Sequence, residues 1–251
     1  MSLKDKVMIV TGAGTGIGRT CAMEAARRGA KVAAVDVNAD SAEQTAKDVR
    51  SMGAECIAVV TDISLEKDTA EMARIVHDHY KRIDILVNNA GLWGALSRKP
   101  FHEMSVEEWD KVMGVNLRGV FLATKGVFPY MRDQRYGKII NISSSTAFFG
   151  APFLLHYVTS KAGILGLTRS VAREVGEYGI CVNAVAPGFT LTEGSLSNTG
   201  RERAELLAAQ TILKRVANPE DIVGTILFLA SPDSDFMTGQ TLVVDGGMSL
   251  R

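Results

Sequence analysis

Tyr157 and Lys161 stand four residues apart in a stretch that reads as helix, so their side chains share one face. A phenol is a weak acid, with a free pKa of about 10. A lysine cation one turn away favours the phenolate and brings the pair toward acid/base work near neutral pH. Tyr-x-x-x-Lys is a common accident on surface helices, and its weight here comes from what precedes it. Ile139-Ile-Asn-Ile142 reads as a buried strand, and Ser143, Ser144 and Ser145 follow at its C-terminal end. That end of a strand is where open α/β sheets bind ligands.

A second constellation suits phosphate. Thr11-Gly-Ala-Gly-Thr-Gly-Ile-Gly18 follows an apolar strand and opens a helix. Glycines at 12, 14, 16 and 18 permit a tight turn and close backbone approach, and the helix N-terminus offers free N–H groups and its positive dipole end. The strict G-x-G-x-x-G spacing fails, because position 17 is Ile. Asp36, 18 residues after Gly18 and at the end of the second strand, is placed to accept hydrogen bonds from an adenosine ribose. A carboxylate there repels a 2′-phosphate, the next residue is Val37 rather than arginine, and Thr15 is not basic, so NAD is favoured over NADP.

These residues need a frame to converge. Short β-branched runs fall at Val7–Thr11, Lys31–Asp36, Glu55–Thr61, Asp84–Asn88, Lys138–Ser143, Cys181–Ala186 and Thr241–Asp245. They are continuous apolar runs, as in parallel strands covered on both faces. Helical patterns lie between them at Ile17–Arg28, Ser41–Met52, Leu65–Lys81, Val106–Arg132, Phe153–Glu177 and Pro219–Ala230. This alternation predicts a parallel α/β sheet of right-handed βαβ units in one domain over residues 1–251. The least regular stretch, Phe189–Ala217, is long enough to be a lid.

Composition narrows the classes. The 251 residues carry 28 Lys plus Arg against 28 Asp plus Glu, with no basic block, which argues against a nucleic-acid partner. A hydrophobic fraction of 46% and a charged fraction of 22% exclude a disordered chain. Cys21, Cys56 and Cys181 form no C-x-x-C, so structural zinc is not expected and the thiols read as free. His77 and His79, two apart on a helix, face different ways, and no metal site is expected from them. With no secretory apolar segment and no 18-residue apolar run, a cytoplasmic location and no membrane partner are expected.

The chain resembles the short-chain dehydrogenase/reductase family along nearly its whole length. The motifs are Thr11-Gly-x-x-x-Gly-x-Gly18, Asp62, Asn88-Asn-Ala-Gly91, Asn116, a serine thirteen residues before Tyr157, Pro187-Gly188, Thr238-Gly239 and Asp245-Gly246-Gly247. The resemblance implies a Rossmann fold with a seven-stranded parallel sheet in the order 3-2-1-4-5-6-7. It implies Tyr157 as general acid/base, Lys161 lowering its pKa and holding the nicotinamide ribose, and Ser144 on the substrate oxygen. The thirteen-residue spacing selects Ser144 over Ser143 and Ser145. It further implies Asn116 in a water-linked proton relay, Gly12, Thr15, Gly16, Ile17 and Gly18 at the phosphates, and Asp62 and Ile63 near the adenine. Asn89, Ala90 and Gly91 would line the adenosine side, with Pro187, Gly188, Thr190 and Thr192 over the nicotinamide and phosphates. Homotetramers are also implied, through the long helices. Each residue has a plainer reading: Asn88 and Asn89 as turn residues, Asn116 bonding its own helix backbone, Pro187-Gly188 as a turn only.

The variable segments Leu92–Pro100, Thr146–His156 and Phe189–Val216 surround the expected substrate. They hold Leu92, Trp93, Leu96, Phe148, Phe149, Phe153, Leu154 and Leu155, which suit a hydrophobic alcohol or ketone or else belong to the core and subunit contacts. Arg98, Arg201 and Arg203 are the cations available to a carboxylate, without a clear pair among them. His156 reads equally as pocket lining or as a packed, capping residue. The expected activity is an NAD-dependent alcohol dehydrogenase or ketone reductase. Its rivals are a 3-oxoacyl carrier-protein reductase, which goes with NADPH and a basic docking patch, and a non-catalytic dinucleotide-binding regulator.

Overall fold

The computed structural model describes residues 1–94, 96–195 and 200–250. Seven parallel strands form one sheet: β1 (Val7–Thr11), β2 (Lys31–Asp36), β3 (Cys56–Val60), β4 (Ile85–Asn88), β5 (Gly137–Ile142), β6 (Ile180–Pro187) and β7 (Thr241–Val244). Their order is β3-β2-β1-β4-β5-β6-β7, as the resemblance implies. The chain reverses direction across the sheet between β1 and β4, which opens a crevice at their C-terminal ends. The helices are α1 (Gly16–Arg27), α2 (Ala39–Ser51), α3 (Glu66–Tyr80), α4 (Val106–Met113), α5 (Gly119–Asp133), α6 (Thr146–Phe149), α7 (Leu155–Val175), α8 (Arg201–Gln210) and α9 (Pro219–Ala230).

Strand alternation sorts the core into two layers. Met8 and Val10 of β1 pack with Cys21, Ala22 and Ala25 of α1 and with Ile222, Ile226 and Leu227 of α9. Val7 and Ile9 point the other way, onto Met72 and Val76 of α3, Val127 and Met131 of α5, and Val175 of α7. Each strand is therefore covered on both faces, which is why its sequence is an apolar run rather than an alternation. Full burial of each such side chain is worth about 1.5–3 kcal/mol. No helix among the described residues is long and apolar enough to cross a membrane.

Two helix readings need correction. The pattern at Val106–Arg132 predicts one uninterrupted α-helix, but Gly114–Arg118 forms a π-helical turn between α4 and α5. A single π-turn has no residue-type signature of its own, so the hydrophobic pattern does not mark it. The helix expected from Phe153 begins at Leu155, because Phe153 has φ 67° and stands outside the helical region. The irregular segment at 189–217 contains α8. Its ends are tied together by Leu191 N–H donating to the Ala217 carbonyl at 2.8 Å and Ala217 N–H donating to that of Phe189 at 3.1 Å. Residues 196–199 of this expected lid, Ala95 of the Leu92–Pro100 segment and the Arg201 side chain lie outside the described residues.

Candidate active site

A cavity of about 720 Å³ follows the C-terminal edge of the sheet, from Asp36 at the end of β2 to Tyr157 and Met248. Its first wall is the loop between β1 and α1. Gly12 and Gly16 hold φ of 63° and 53°, a turn that side chains resist. A Cβ on Gly14 would fall 2.8 Å from Asp36 Oδ2. The loop thus presents bare backbone to the cavity. Thr15, the residue before helix α1, makes no side-chain cap and the first turn holds no acid, which leaves the helix N–H groups for an anion. Gly12, Thr15, Gly16 and Ile17 line the cavity. Gly18 does not: a Cβ there would overlap the Gly12 carbonyl oxygen and crowd Asn89 Nδ2. Gly18 is a packing glycine that sets the loop, and Gly18→Ala is expected to cost about 1–3 kcal/mol of stability by overpacking. Thermal denaturation and a cofactor titration would register it, and an unchanged Tm would refute it.

Asn89 supports the same loop, donating from Nδ2 to the carbonyls of Thr11 at 3.0 Å and Gly12 at 3.1 Å while also lining the cavity. Thr11 Oγ1 accepts from the Asn89 and Ala90 N–H groups, each at 3.1 Å. Asn88 points inward instead, donating to Thr124 Oγ1 at 3.1 Å and Asn141 Oδ1 at 2.9 Å. Asp36 accepts from Gly14 N–H at 2.9 Å through one oxygen and from Asn38 N–H at 3.0 Å through the other. Asp62 is held by Ser64 N–H at 2.9 Å and Ser64 Oγ at 2.7 Å. Asp62, Ile63, Ala90, Gly91, Pro187, Gly188, Thr190 and Thr192 all border the cavity. Backbone without side chains at the turn, free helix N–H groups and a carboxylate beyond them fit an adenine dinucleotide.

At the other end, β5 and α7 bring Ser144, Tyr157 and Lys161 together. The three serines separate. Ser143 Oγ is committed, donating to the Lys161 carbonyl at 2.7 Å, while Ser144 hydrogen-bonds the Tyr157 hydroxyl. Ser145 N–H donates to the Pro187 carbonyl at 2.9 Å. Ser144 Oγ also accepts from Thr146 N–H at 3.2 Å and Oγ1–H at 2.9 Å. Lys161 Nζ donates to the Ile142 carbonyl at 2.8 Å and lies 5.8 Å from the centre of the Tyr157 ring.

The electrostatics differ from the sequence expectation in one respect. Burial pushes the Tyr157 phenol up to about 12, with the Ser144 hydrogen bond pulling the other way. Burial also pulls Lys161 down to about 8. Desolvation acts against both charged forms here and outweighs the assistance expected from the lysine cation. The tyrosine is therefore held as a neutral phenol, a proton donor. Carbonyl reduction is expected to hold level below pH 8 and to fall as pH rises through about 8, where Lys161 loses its charge. Alcohol oxidation, which needs the tyrosine as base, is expected to rise across the same range. A pH–rate profile of Lys161→Arg, which keeps its charge, should lack the break near 8, and retention of that break would assign it elsewhere.

Asn116 sits in the π-helical turn and is fully buried. Its Oδ1 accepts from Leu92 N–H at 2.7 Å, and its Nδ2 donates to the Leu92 carbonyl and to Ser160 Oγ, each at 3.3 Å. Ser160 Oγ in turn donates to the Tyr157 carbonyl at 2.7 Å. Asn116 thus does not bond its own helix backbone as isolated helical asparagines do. It ties the loop after β4 to the start of α7 and does not border the cavity. Ser160 escaped sequence reasoning because a helical serine has no signal of its own.

Of the apolar candidates, Leu92, Trp93, Phe149 and Leu154 line the cavity, whereas Leu96, Phe148, Phe153 and Leu155 do not. Phe189, Leu207 and Met248 line it too, from segments far apart in sequence. His156 is buried away from the cavity, where its Nδ1 accepts from Tyr157 N–H at 2.9 Å. His77 stacks on Tyr130 with ring centres 4.4 Å apart, and His79 lies edge-on to Tyr80.

Comparison with known proteins agrees with this architecture. Residues 12–249 match the family model described as enoyl-(acyl carrier protein) reductase. The chain is 39% identical over 250 residues to a 3-oxoacyl-(acyl-carrier-protein) reductase of Thermotoga maritima, covering 99% of each. It is 38% identical over 252 residues to a subunit of a (hydroxy(phenyl)methyl)succinyl-CoA dehydrogenase of Thauera aromatica, covering 100% of this chain and 99% of that one. Among solved structures, levodione reductase superposes with a TM-score of 0.93 at 33% identity, covering 97% of both chains. A short-chain type dehydrogenase/reductase of Mycobacterium marinum gives 0.94 at 31%, covering 100% and 98%. The chain belongs to the short-chain dehydrogenase/reductase family. It is an oxidoreductase of a family that uses nicotinamide dinucleotides.

Proposed function

We propose that the chain is an NAD(H)-dependent oxidoreductase that interconverts a ketone and a secondary alcohol with mostly apolar substituents. The observation that carries this reading is Tyr157, with Ser144 on its hydroxyl and Lys161 one helical turn on, in the cavity that begins at Asp36. Gly12, Thr15, Gly16, Ile17 and Asp36 would hold the adenosine and phosphate portion, and Pro187, Gly188, Thr190 and Thr192 the nicotinamide portion. The nicotinamide, when bound, supplies or accepts the hydride. Tyr157 gives its proton to the carbonyl oxygen in reduction and takes it back in oxidation. Ser144 hydrogen-bonds the same oxygen and holds the phenol in line. Lys161 keeps a positive charge beside the phenol, and Asn116 fixes the backbone around it.

NAD is favoured over NADP because a carboxylate bounds the ribose end and Val37, beside it, supplies no cation. The apolar character rests on Leu92, Trp93, Phe149 and Leu154 around Tyr157. The same reading makes residues 1–251 one catalytic unit with 189–217 as its lid, cytoplasmic, without a metal, and assembled as a homotetramer through the helices that leave Phe121 48% exposed. A second reading, a 3-oxoacyl carrier-protein reductase, is favoured by the name of the Thermotoga relative. A panel of hydrophobic ketones and one 3-oxoacyl thioester, each with NADH and NADPH, separates the two. Turnover of ketones with NADH is the expected result. Preference for the thioester with NADPH would overturn it in favour of the second reading.

A further inference from the structure

Two arginines line the cavity from separate segments. Arg98 comes from the loop after β4, and Arg203 from α8. Among the described residues neither forms an ion pair with a carboxylate, unlike Arg74 with Glu71 or Arg215 with Asp221. The cavity's lining carboxylates are Asp36 and Asp62, both at the adenosine end. Arg98 lies 5.8 Å from the centre of the Trp93 ring, and that ring lies 4.7 Å from the ring of Tyr157. A single aromatic ring therefore separates the guanidinium from the proton-donating phenol. Arg98 Nε is buried with no hydrogen-bond partner, a costly arrangement for a group with so strong a demand for acceptors. Burial and the neighbouring Arg203 charge both act against the Arg98 cation. Two like charges facing one cavity, one of them with an unmet donor, call for an anion between them.

Building on the ketone reading above, we propose that Arg98 and Arg203 bind a carboxylate of the substrate, which makes the natural substrate an apolar oxo acid or its hydroxy acid. The carboxylate takes no part in the redox step: the carbonyl carbon accepts the hydride, its oxygen accepts the Tyr157 proton, and NADH leaves as NAD⁺. A carboxylate fits better than the phosphate of a pantetheine arm, because Arg98 stands one ring from Tyr157 while such a phosphate lies a whole arm away from its carbonyl. Trp93, Phe149 and Leu207 supply the apolar remainder of the site.

The test compares 4-oxo-4-phenylbutanoate with its primary amide, which has nearly the same shape and no charge. Wild-type protein should favour the acid in kcat/KM by roughly 10- to 100-fold, the worth of one charge-assisted contact. Arg98→Gln and the exposed Arg203→Gln should each shrink that preference, mainly through KM. The second variant removes a surface side chain and guards against a folding defect in the first. Equal or better use of the amide by wild type, or a preference untouched in both variants, would overturn the proposal. If neither compound is reduced, calorimetric titration of each into the protein decides separately. Binding of the acid over the amide that is lost in Arg98→Gln upholds the anion site and leaves the ketone reading to the ketone panel, and absence of such binding rejects the anion site.

Discussion

Tyr157→Phe is expected to lower kcat by roughly 100- to 10,000-fold, the range for loss of a positioned general acid. NADH affinity should stay within about threefold of wild type, because the cofactor's phosphates and adenosine are held at the far end of the cavity. Stability should change by no more than about 1 kcal/mol, since the substitution removes one hydroxyl whose partner, Ser144, keeps its bonds to Thr146. The combination is informative. A folding defect would depress cofactor binding and Tm along with the rate, whereas loss of a proton donor depresses the rate alone. Titration of NADH by fluorescence, a melting curve and a single-turnover rate separate the two. A kcat within tenfold of wild type would remove Tyr157 from the mechanism.

A second large effect is expected at Asp36. A carboxylate about 4 Å from a 2′-phosphate costs roughly 4 kcal/mol at an effective dielectric of ~20, enough to disfavour NADPH by up to roughly 1000-fold. Asp36→Ser with Val37→Arg removes the repulsion and supplies a cation beside the ribose. The NADH:NADPH ratio of kcat/KM should then fall by at least roughly 100-fold and invert. Some loss with both cofactors is expected as well, because Asp36 also accepts from Gly14 and Asn38 N–H and so shapes the glycine turn. Measuring kcat/KM for both cofactors in both proteins checks this. A wild-type protein that already prefers NADPH would show that Asp36 does not select the cofactor.

The frame was readable from sequence wherever burial alone determines structure. The run Val7–Val10 is apolar throughout because both faces are covered, and Pro219–Ala230 matches its helix to the residue, with Pro at its first position and Asp221 accepting from Asn218 N–H at 2.8 Å. At the candidate site the family spacing singles out Ser144, and its neighbour Ser143 is turned into the helix backbone. Three things were hidden. The π-helical turn at Asn116 has no residue-type signature, and neither do the bonds by which Asn116 holds Leu92 and Ser160. The distinction between Gly16, which faces the cavity, and Gly18, which packs against Gly12, depends on tertiary contact rather than residue type. Met248 reaches the cavity from the C-terminal tail, outside the three segments expected around the substrate, and no local pattern encodes that convergence.

The balance at Tyr157 and Lys161 was also out of reach of spacing alone. Four residues on a helix bring a cation near a phenol, but the depth of the crevice decides whether attraction or desolvation prevails. Here desolvation prevails, with the phenol near 12 and the ammonium near 8. The phenol is thereby kept protonated at neutral pH.

Hydride transfer to a ketone is measured most directly as deuterium transfer from NADH labelled at C4 to a hydrophobic ketone. Ketone-dependent loss of NADH, alcohol formed one for one and the label on the carbinol carbon are expected, all abolished in Tyr157→Phe. Tight NADH binding with no label transfer to any ketone in the panel would contradict the ketone reading.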